Sequence, residues 1–238
     1  LIQEKIDVLA FGAHADDVEI GMAGSIRKWT TSERNVVICD LTKAELSSNG
    51  TVETRLQEAL TAAKKLGVME RVNLQLPDRG LFLKDEYIRQ IAGLIRKFRP
   101  TLVFAPFPED RHPDHGHCAE LVKEAFFSAG IRKYETSGDY AAHKARNLFY
   151  YFINSQPPPD FVIDISKFMD YKLAALQAYR TQFLPGESGV QTPLTEGYLE
   201  RIEARERIYG LEAGVTFAEG FKTDRPLLIN QNIFGEEL

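Results

Sequence analysis

Short apolar runs alternate with longer stretches of helical period along most of this chain. The first run, Ile6 to Gly12, is apolar almost throughout and fits a strand buried on both faces of a parallel sheet. Residues 18–31 follow with Ile20, Ala23, Gly24 and Arg27 at turn spacing, which predicts a helix. Residues 35–41 form a second buried run, and the polar loop from Thr42 to Gly50 leaves its end. Thr51 is placed to cap a helix with an expected apolar stripe of Leu56, Ala59, Leu60, Ala63 and Leu66, closed by a left-handed Gly67. Residues 72–76 read as a short third strand. Residues 85–98 read as a helix striped by Ile88, Ile91, Ile95 and Phe98 and stopped by Pro100. A fourth strand at 101–105 precedes a helix at 114–129. Strands at 147–153 and 161–165, separated by Pro157 to Pro159, and helices at 168–180 and 197–209 complete the pattern.

Strand and helix in alternation predict an α/β fold, a Rossmann-like, mostly parallel sheet flanked by helices with right-handed crossovers. The 238 residues fit one domain spanning 1–238, with no internal repeat and no low-complexity linker. The Pro- and Gly-containing stretch from Leu184 to Pro193 reads as a rim loop. Ligands of open α/β sheets bind beyond the carboxyl ends of the strands. Two polar segments begin there, Ala13-His14-Ala15-Asp16-Asp17 after the first strand and Arg111-His112-Pro113-Asp114-His115 after the fourth. If those two strands are neighbours, the segments converge on one site.

Composition narrows the function classes. With 29 basic and 34 acidic side chains, net charge −5 and no basic block, no nucleic-acid or anionic-membrane partner is expected. No apolar run approaches the roughly 20 residues that span a bilayer. The first residues carry no signal-peptide core, and two cysteines, Cys39 and Cys118, make a poor disulfide framework. A reducing, cytoplasmic setting is the expectation.

The chain has five histidines, and His14, His112, His115 and His117 lie in the two strand-end segments. Two imidazoles and a carboxylate, with a position left for water, are what a catalytic zinc takes, and His14, Asp17 and His115 are the best set. Asp16, beside a ligand, is placed to act as general base toward water acidified by the metal. His112 suits stabilisation of a developing oxyanion or protonation of a leaving amine. Asp114 either orients a histidine or simply caps the helix or pairs with Arg111. Arg55 and Asn49, around the polar loop of Glu45, Ser47 and Ser48, are the candidates for binding substrate, with a surface ion pair the alternative for Arg55. Asp78-Arg79-Gly80 is placed to line the same pocket, and Tyr198 to reach it. Tyr140, Tyr150, Tyr151 and Tyr179 read as packing residues, Cys118 as core, and His117 and His143 as outward-facing.

These segments resemble the motifs of the LmbE-like, or PIG-L, family of zinc-dependent N-acetylglucosaminyl deacetylases, and within it the bacillithiol-biosynthesis deacetylases. The family pattern Ala-His-Pro-Asp-Asp-x-Glu is met by Ala13 to Glu19, and the second motif by His112-Pro113-Asp114-His115. Similarity continues through residues 46–51, 76–80 and 106–118. The resemblance implies the LmbE-like fold and one Zn2+ per chain held by His14, Asp17 and His115. It implies Asp16 as base, His112 as stabiliser or proton donor, Asp114 as orienter of a histidine, Arg55 in contact with substrate, and Tyr198 near the same site. The implied partner is a small N-acetylated sugar conjugate, N-acetylglucosaminyl malate giving glucosaminyl malate and acetate. Related proteins take N-acetylglucosamine or chito-oligomers, and a homo-oligomer, often a hexamer, is the implied assembly. Ala15 stands where the family has proline, which removes stiffness but no ligand. No Gly-x-Gly-x-x-Gly follows the first strand, so no dinucleotide is expected. A different metallohydrolase, a structural zinc module and a catalytically inert carbohydrate-binding protein are the rival readings. The cysteine-free ligand set and the intact Asp16 weigh against the last two.

Overall fold

A computed structural model describes residues 5–184, 186 and 189–228. Its strands are β1 (Val8–Gly12), β2 (Val36–Thr42), β3 (Glu70–Leu76), β4 (Leu102–Pro106), β5 (Asn147–Tyr151), β6 (Phe161–Asp164) and β7 (Ala218–Thr223). Its helices are α1 (Asp17–Thr31), α2 (Val52–Leu66), α3 (Asp85–Phe98), α4 (Pro113–Ala129), α5 (Met169–Leu176), α6 (Arg180–Phe183) and α7 (Tyr198–Ala213). The strands form a single sheet in the order β3-β2-β1-β4-β5-β7-β6. All neighbours are parallel except those of β7, which runs antiparallel to both β5 and β6.

The expected α/β architecture is present, and β1 does neighbour β4, with Val8 opposite Leu102. The chain runs outward from β1 through β2 to β3 and then returns to the other side of β1. That reversal opens a crevice beyond the carboxyl ends of β1 and β4, where both polar segments emerge.

Alternation along the central strands divides the core in two. Leu9, Phe11, Val37, Cys39 and Val103 face α3 and α4, meeting Ile91, Ile95, Leu121 and Val122. Val8, Ala10, Val36, Ile38 and Phe104 face α1, α2, α5 and α7.

Several expectations are corrected. β7 has no counterpart among the expected strands, because Ala218-Glu219-Gly220-Phe221-Lys222-Thr223 has no apolar run. The helix expected at 168–180 is two short ones, α5 and α6. On α2 the buried face is Arg55, Ala59, Ala62, Ala63 and Leu66, while Leu56 and Leu60 are exposed. The helix is turned so that small residues meet the body of the protein and Arg55 points inward. Tyr140 is exposed rather than packed, whereas Tyr150, Tyr151 and Tyr179 are buried. His143 is half-buried, its Nε2 2.7 Å from the Pro100 carbonyl oxygen. His117 is also half-buried, with its ring 5.5 Å from that of Phe82. Among the described residues, no helix is long and apolar enough to cross a membrane.

Candidate active site

The turn between β1 and α1 is tight. A Cβ on Gly12 would lie 3.1 Å from the His14 carbonyl oxygen and 3.2 Å from Asp17 Cβ, closer than most neighbours tolerate. Asp16 sits at φ 116°, a region that non-glycine residues rarely adopt and that tends to mark functional turns. The His14 amide donates to Asp17 Oδ2 at 2.9 Å, which folds the turn back on itself.

From the other loop, His112 caps α4. Its Nδ1 accepts the Asp114 amide at 3.3 Å, and Pro113 occupies the first helical position, where a missing N–H costs nothing. His115 then falls in the first turn, with Nε2 toward Asp17 at the start of α1.

Asp17 is the meeting point. Its Oδ2 lies 3.6 Å from His14 Nδ1 and its Oδ1 3.1 Å from His115 Nε2. Bonds of about 2.0–2.1 Å to a tetrahedral ion put neighbouring ligand atoms about 3.3 Å apart, and each histidine meets one Asp17 oxygen at a comparable spacing. Both imidazoles are held from the rear. His14 Nε2 is 3.2 Å from Asp78 Oδ1 and 3.6 Å from Asp114 Oδ2, and His115 Nδ1 is 2.9 Å from Asp110 Oδ1. A carboxylate behind each ligating imidazole fixes its tautomer and orientation, a common support for metal sites.

Ligand atoms of His14, His112 and His115 also gather within 4.8 Å, as do those of His14, Asp78 and Asp114. The acids of the second group have other partners. Asp78 Oδ2 accepts the Leu46 amide, and Asp114 accepts the Arg79 amide and guanidinium. Asp17 likewise accepts the His14 amide, so His14 is shared among several donor groups that could hold a metal. Two imidazole nitrogens and a carboxylate oxygen, each preoriented, fit a divalent ion.

Electrostatics follow the same arrangement. Burial alone would raise Asp17, but His115 and His14 hold it well below the ordinary carboxylate range. Burial would lower His115, yet Asp17 and Asp110 lift it to about 9. Asp16 is pushed up to about 7 by burial and by Asp17, with Arg55 pulling the other way. His112 is lowered by burial and by the neighbouring His14 and His115.

Arg55 is buried, and its guanidinium is engaged. Nη2 donates to the Ala15 carbonyl and lies 3.3 Å from Asp16 Oδ2, while Nη1 donates to Ser47 Oγ at 2.8 Å. His14, Asp16, Asp17, Arg55, His112 and His115 all line a cavity of about 600 Å³, which Arg79, Arg111 and Asn154 also border. His112 stacks on His115 with ring centres 4.8 Å apart, and its Nε2 has no hydrogen-bond partner among the described residues.

Three site candidates sit behind the cavity wall. Asp114 is fully buried and faces His14 and Arg79 rather than the His112 ring. Asn49 grips the rim loop, donating to the Val190 carbonyl and accepting the Val190 amide, both at 2.8 Å. The Tyr198 hydroxyl is 3.3 Å from Asn154 Oδ1 and from the Ile153 carbonyl oxygen. Sequence reasoning missed Asp110, which accepts from five N–H groups: His112 N, His115 Nδ1, Asn154 N, Asn154 Nδ2 and Ser155 N. Its position two residues before His112 was the available signal.

Known proteins share this arrangement of chain and fold. The family model described as PIG-L, GlcNAc-PI de-N-acetylase, matches residues 9–126. A diacetylchitobiose deacetylase of Thermococcus kodakarensis is 32% identical over 228 residues, covering 90% of this chain and 82% of the relative. A probable N-acetyl-alpha-D-glucosaminyl L-malate deacetylase 2 of Bacillus subtilis is 29% identical over 214 residues, covering 84% and 89%. A solved structure of a conserved protein from Thermus thermophilus superposes with a TM-score of 0.86 at 35% identity, covering 95% of this chain and 98% of that one. Chitobiose and malate-conjugate deacetylases both stand among the relatives, so the bacillithiol group is not singled out. With paired histidine and aspartate motifs meeting at the β1–β4 crevice, this chain belongs to the PIG-L, or LmbE-like, deacetylase family.

Proposed function

We propose that this protein is a metal-dependent deacetylase that hydrolyses the N-acetyl group of an N-acetylglucosaminyl conjugate. The observation that carries the reading is Asp17 set between His14 Nδ1 and His115 Nε2, with Asp16 beside it in an open cavity. Zinc is the metal proposed for that donor set; when bound, such an ion acidifies water toward a pKa of about 7 and polarises a carbonyl.

The chain's own residues supply the rest. Asp16 takes the proton as water adds to the acetyl carbon. Its carboxylate is poised near neutrality, and Arg55 steadies its charged form. His112 faces the cavity with Nε2 free to hydrogen-bond the developing oxyanion. The C–N bond then breaks, the departing nitrogen takes up a proton from Asp16, and acetate and a free amine result. Asp110, Asp78 and Asp114 hold His115 and His14 in register throughout.

The leaving conjugate is the finer question. Arg111 is exposed, borders the cavity and has no hydrogen-bond or ion-pair partner among the described residues. Arg79 borders it too and is half-exposed. Arg111, rather than Arg55 or Arg79, which are engaged with Asp16 and Asp114, suits a carboxylate of the conjugate, which favours N-acetylglucosaminyl malate. The similarity to a chitobiose deacetylase favours a second reading, an N-acetylated disaccharide. Rates on the two substrates decide between them. A malate preference of tenfold or more that collapses in Arg111→Ala supports the first reading. A preference for diacetylchitobiose, unmoved by that substitution, supports the second.

A further inference from the structure

Helix α1 is not continuous. Met22 has φ −150° and ψ 23°, outside the helical range, so the first turn from Asp17 to Gly21 is set apart from the remainder. That turn carries Asp17 at its start and Ile20, a cavity-lining residue, near its end. A backbone break inside a buried helix needs partners for its polar groups.

Charged side chains from three distant elements supply them. Glu219 of β7 accepts the Gly24 amide at 2.9 Å through Oε1 and the Ser25 amide at 2.7 Å through Oε2. It therefore caps the second segment much as an acid caps a helix start. Arg205 of α7 donates from Nη2 to the Ile20 carbonyl at 2.9 Å, on the other side of the break. Its Nη1 reaches the Phe152 and Ile153 carbonyls at 3.1 and 3.0 Å, and Ile153 borders the cavity. Lys172 of α5 joins the acids, 2.6 Å from Glu219 Oε1 and 2.9 Å from Glu206 Oε1, and Arg205 Nη2 is 2.7 Å from Glu206 Oε1. All four side chains are buried. Packing fixes the same segment from the sheet side: a Cβ on Gly21 would lie 2.0 Å from the Tyr151 ring.

We propose that Glu219 and Arg205, with Lys172 and Glu206 balancing their charge, are positioning residues that set the broken form of α1 and so place Asp17 and Ile20 for the reaction. None of the four lines the cavity, so their effect reaches it through the helix backbone. Apolar packing would hide the helix as well as these charges do. What the charges add is a fixed place for each of the backbone groups beside the break.

The proposal rests on the functional reading above, and two variants test it in the full chain. Arg205→Lys keeps the positive charge beside Glu206 but loses the fork that spans three carbonyls. Glu219→Gln keeps the shape but turns an N–H₂ toward one of the two amide donors and removes the charge that Lys172 meets. Ile95→Val, in the core on the opposite face of the sheet, serves as a control that loses stability alone. Zinc affinity by chelator competition, kcat and KM on the proposed substrate, and thermal unfolding are measured for each. Zinc affinity and kcat each lower by tenfold or more in Arg205→Lys, with KM within threefold, are the expected result; Ile95→Val leaves both unchanged. Glu219→Gln shows the same pattern, and if it does not accumulate, Arg205→Lys reads the same quantities alone. A lowered unfolding temperature with zinc affinity and kcat within twofold of the parent would overturn the proposal and leave a purely structural role. Failure of the unsubstituted protein to bind zinc or release amine would instead count against the functional reading.

Discussion

At the candidate site, Asp16, Asp17, Asp78, Asp110 and Asp114 face only Arg55 and Arg79 as fixed cations within hydrogen-bond or ion-pair reach among the described residues. One turn along α1, Lys172 and Arg205 meet Glu206 and Glu219 charge for charge. The first cluster has surplus negative charge and opens on a cavity; the second is neutral and closed. A surplus of buried anions draws cations, as the raised His14 and His115 record. Protons and a divalent metal compete for that demand, because imidazole ligates only when neutral. The balanced cluster makes no such demand, and its charges serve the backbone. Electrostatic imbalance thus separates the place of chemistry from the place of support.

The contrast can be broken at several points. Asp16→Asn removes the base without removing a ligand, so turnover falls by about 10²–10⁴ while zinc stays bound. Steady-state kinetics with metal analysis of the same sample checks both halves. Lys172→Met leaves Glu206 and Glu219 buried without their shared cation, which costs about 3–5 kcal/mol. Denaturant unfolding reads that loss. Asp110→Asn sets an amide group among five N–H donors behind His115, lowering zinc affinity by about 10–100-fold. Chelator competition measures it. The smallest effect belongs to neither cluster: Leu60→Ser, on the exposed face of α2, changes stability by less than about 0.5 kcal/mol.

How much of this was legible in the chain varies with the physics. That His14, Asp17 and His115 meet could be read because their segments leave the ends of apolar runs, and strand ends are where such folds place ligands. The β1–β4 adjacency that joins them depends on topology, which spacing does not record. Asp78 could be placed at the pocket because it follows a strand end, but its hold on His14 shows only in the fold, as does the reach of Asp110 to Asn154 and Ser155. Glu219 was harder still. A glutamate between Ala218 and Gly220 gives no sign of burial, since the cation and amides that make burial tolerable lie on α5 and α1. Arg55 was recognisable as a site residue, but its side chain spends its donors on Asp16, Ala15 and Ser47, leaving Arg111 as the free cation at the cavity among the described residues. Leu56 and Leu60 misled the periodicity, because Arg55 and alanines at 59, 62 and 63 form the inward face instead.

Everything above turns on His14, Asp17 and His115 holding the metal of a deacetylase. The most direct test is amine release from N-acetylglucosaminyl malate and from diacetylchitobiose by the full chain, after metal removal and again after zinc return. Release is expected to be lost on stripping and to recover with about one zinc per chain, at the single site expected from the donor set. Release that persists unchanged in the stripped, folded protein, or no release from either substrate by folded protein loaded with zinc, would contradict that role.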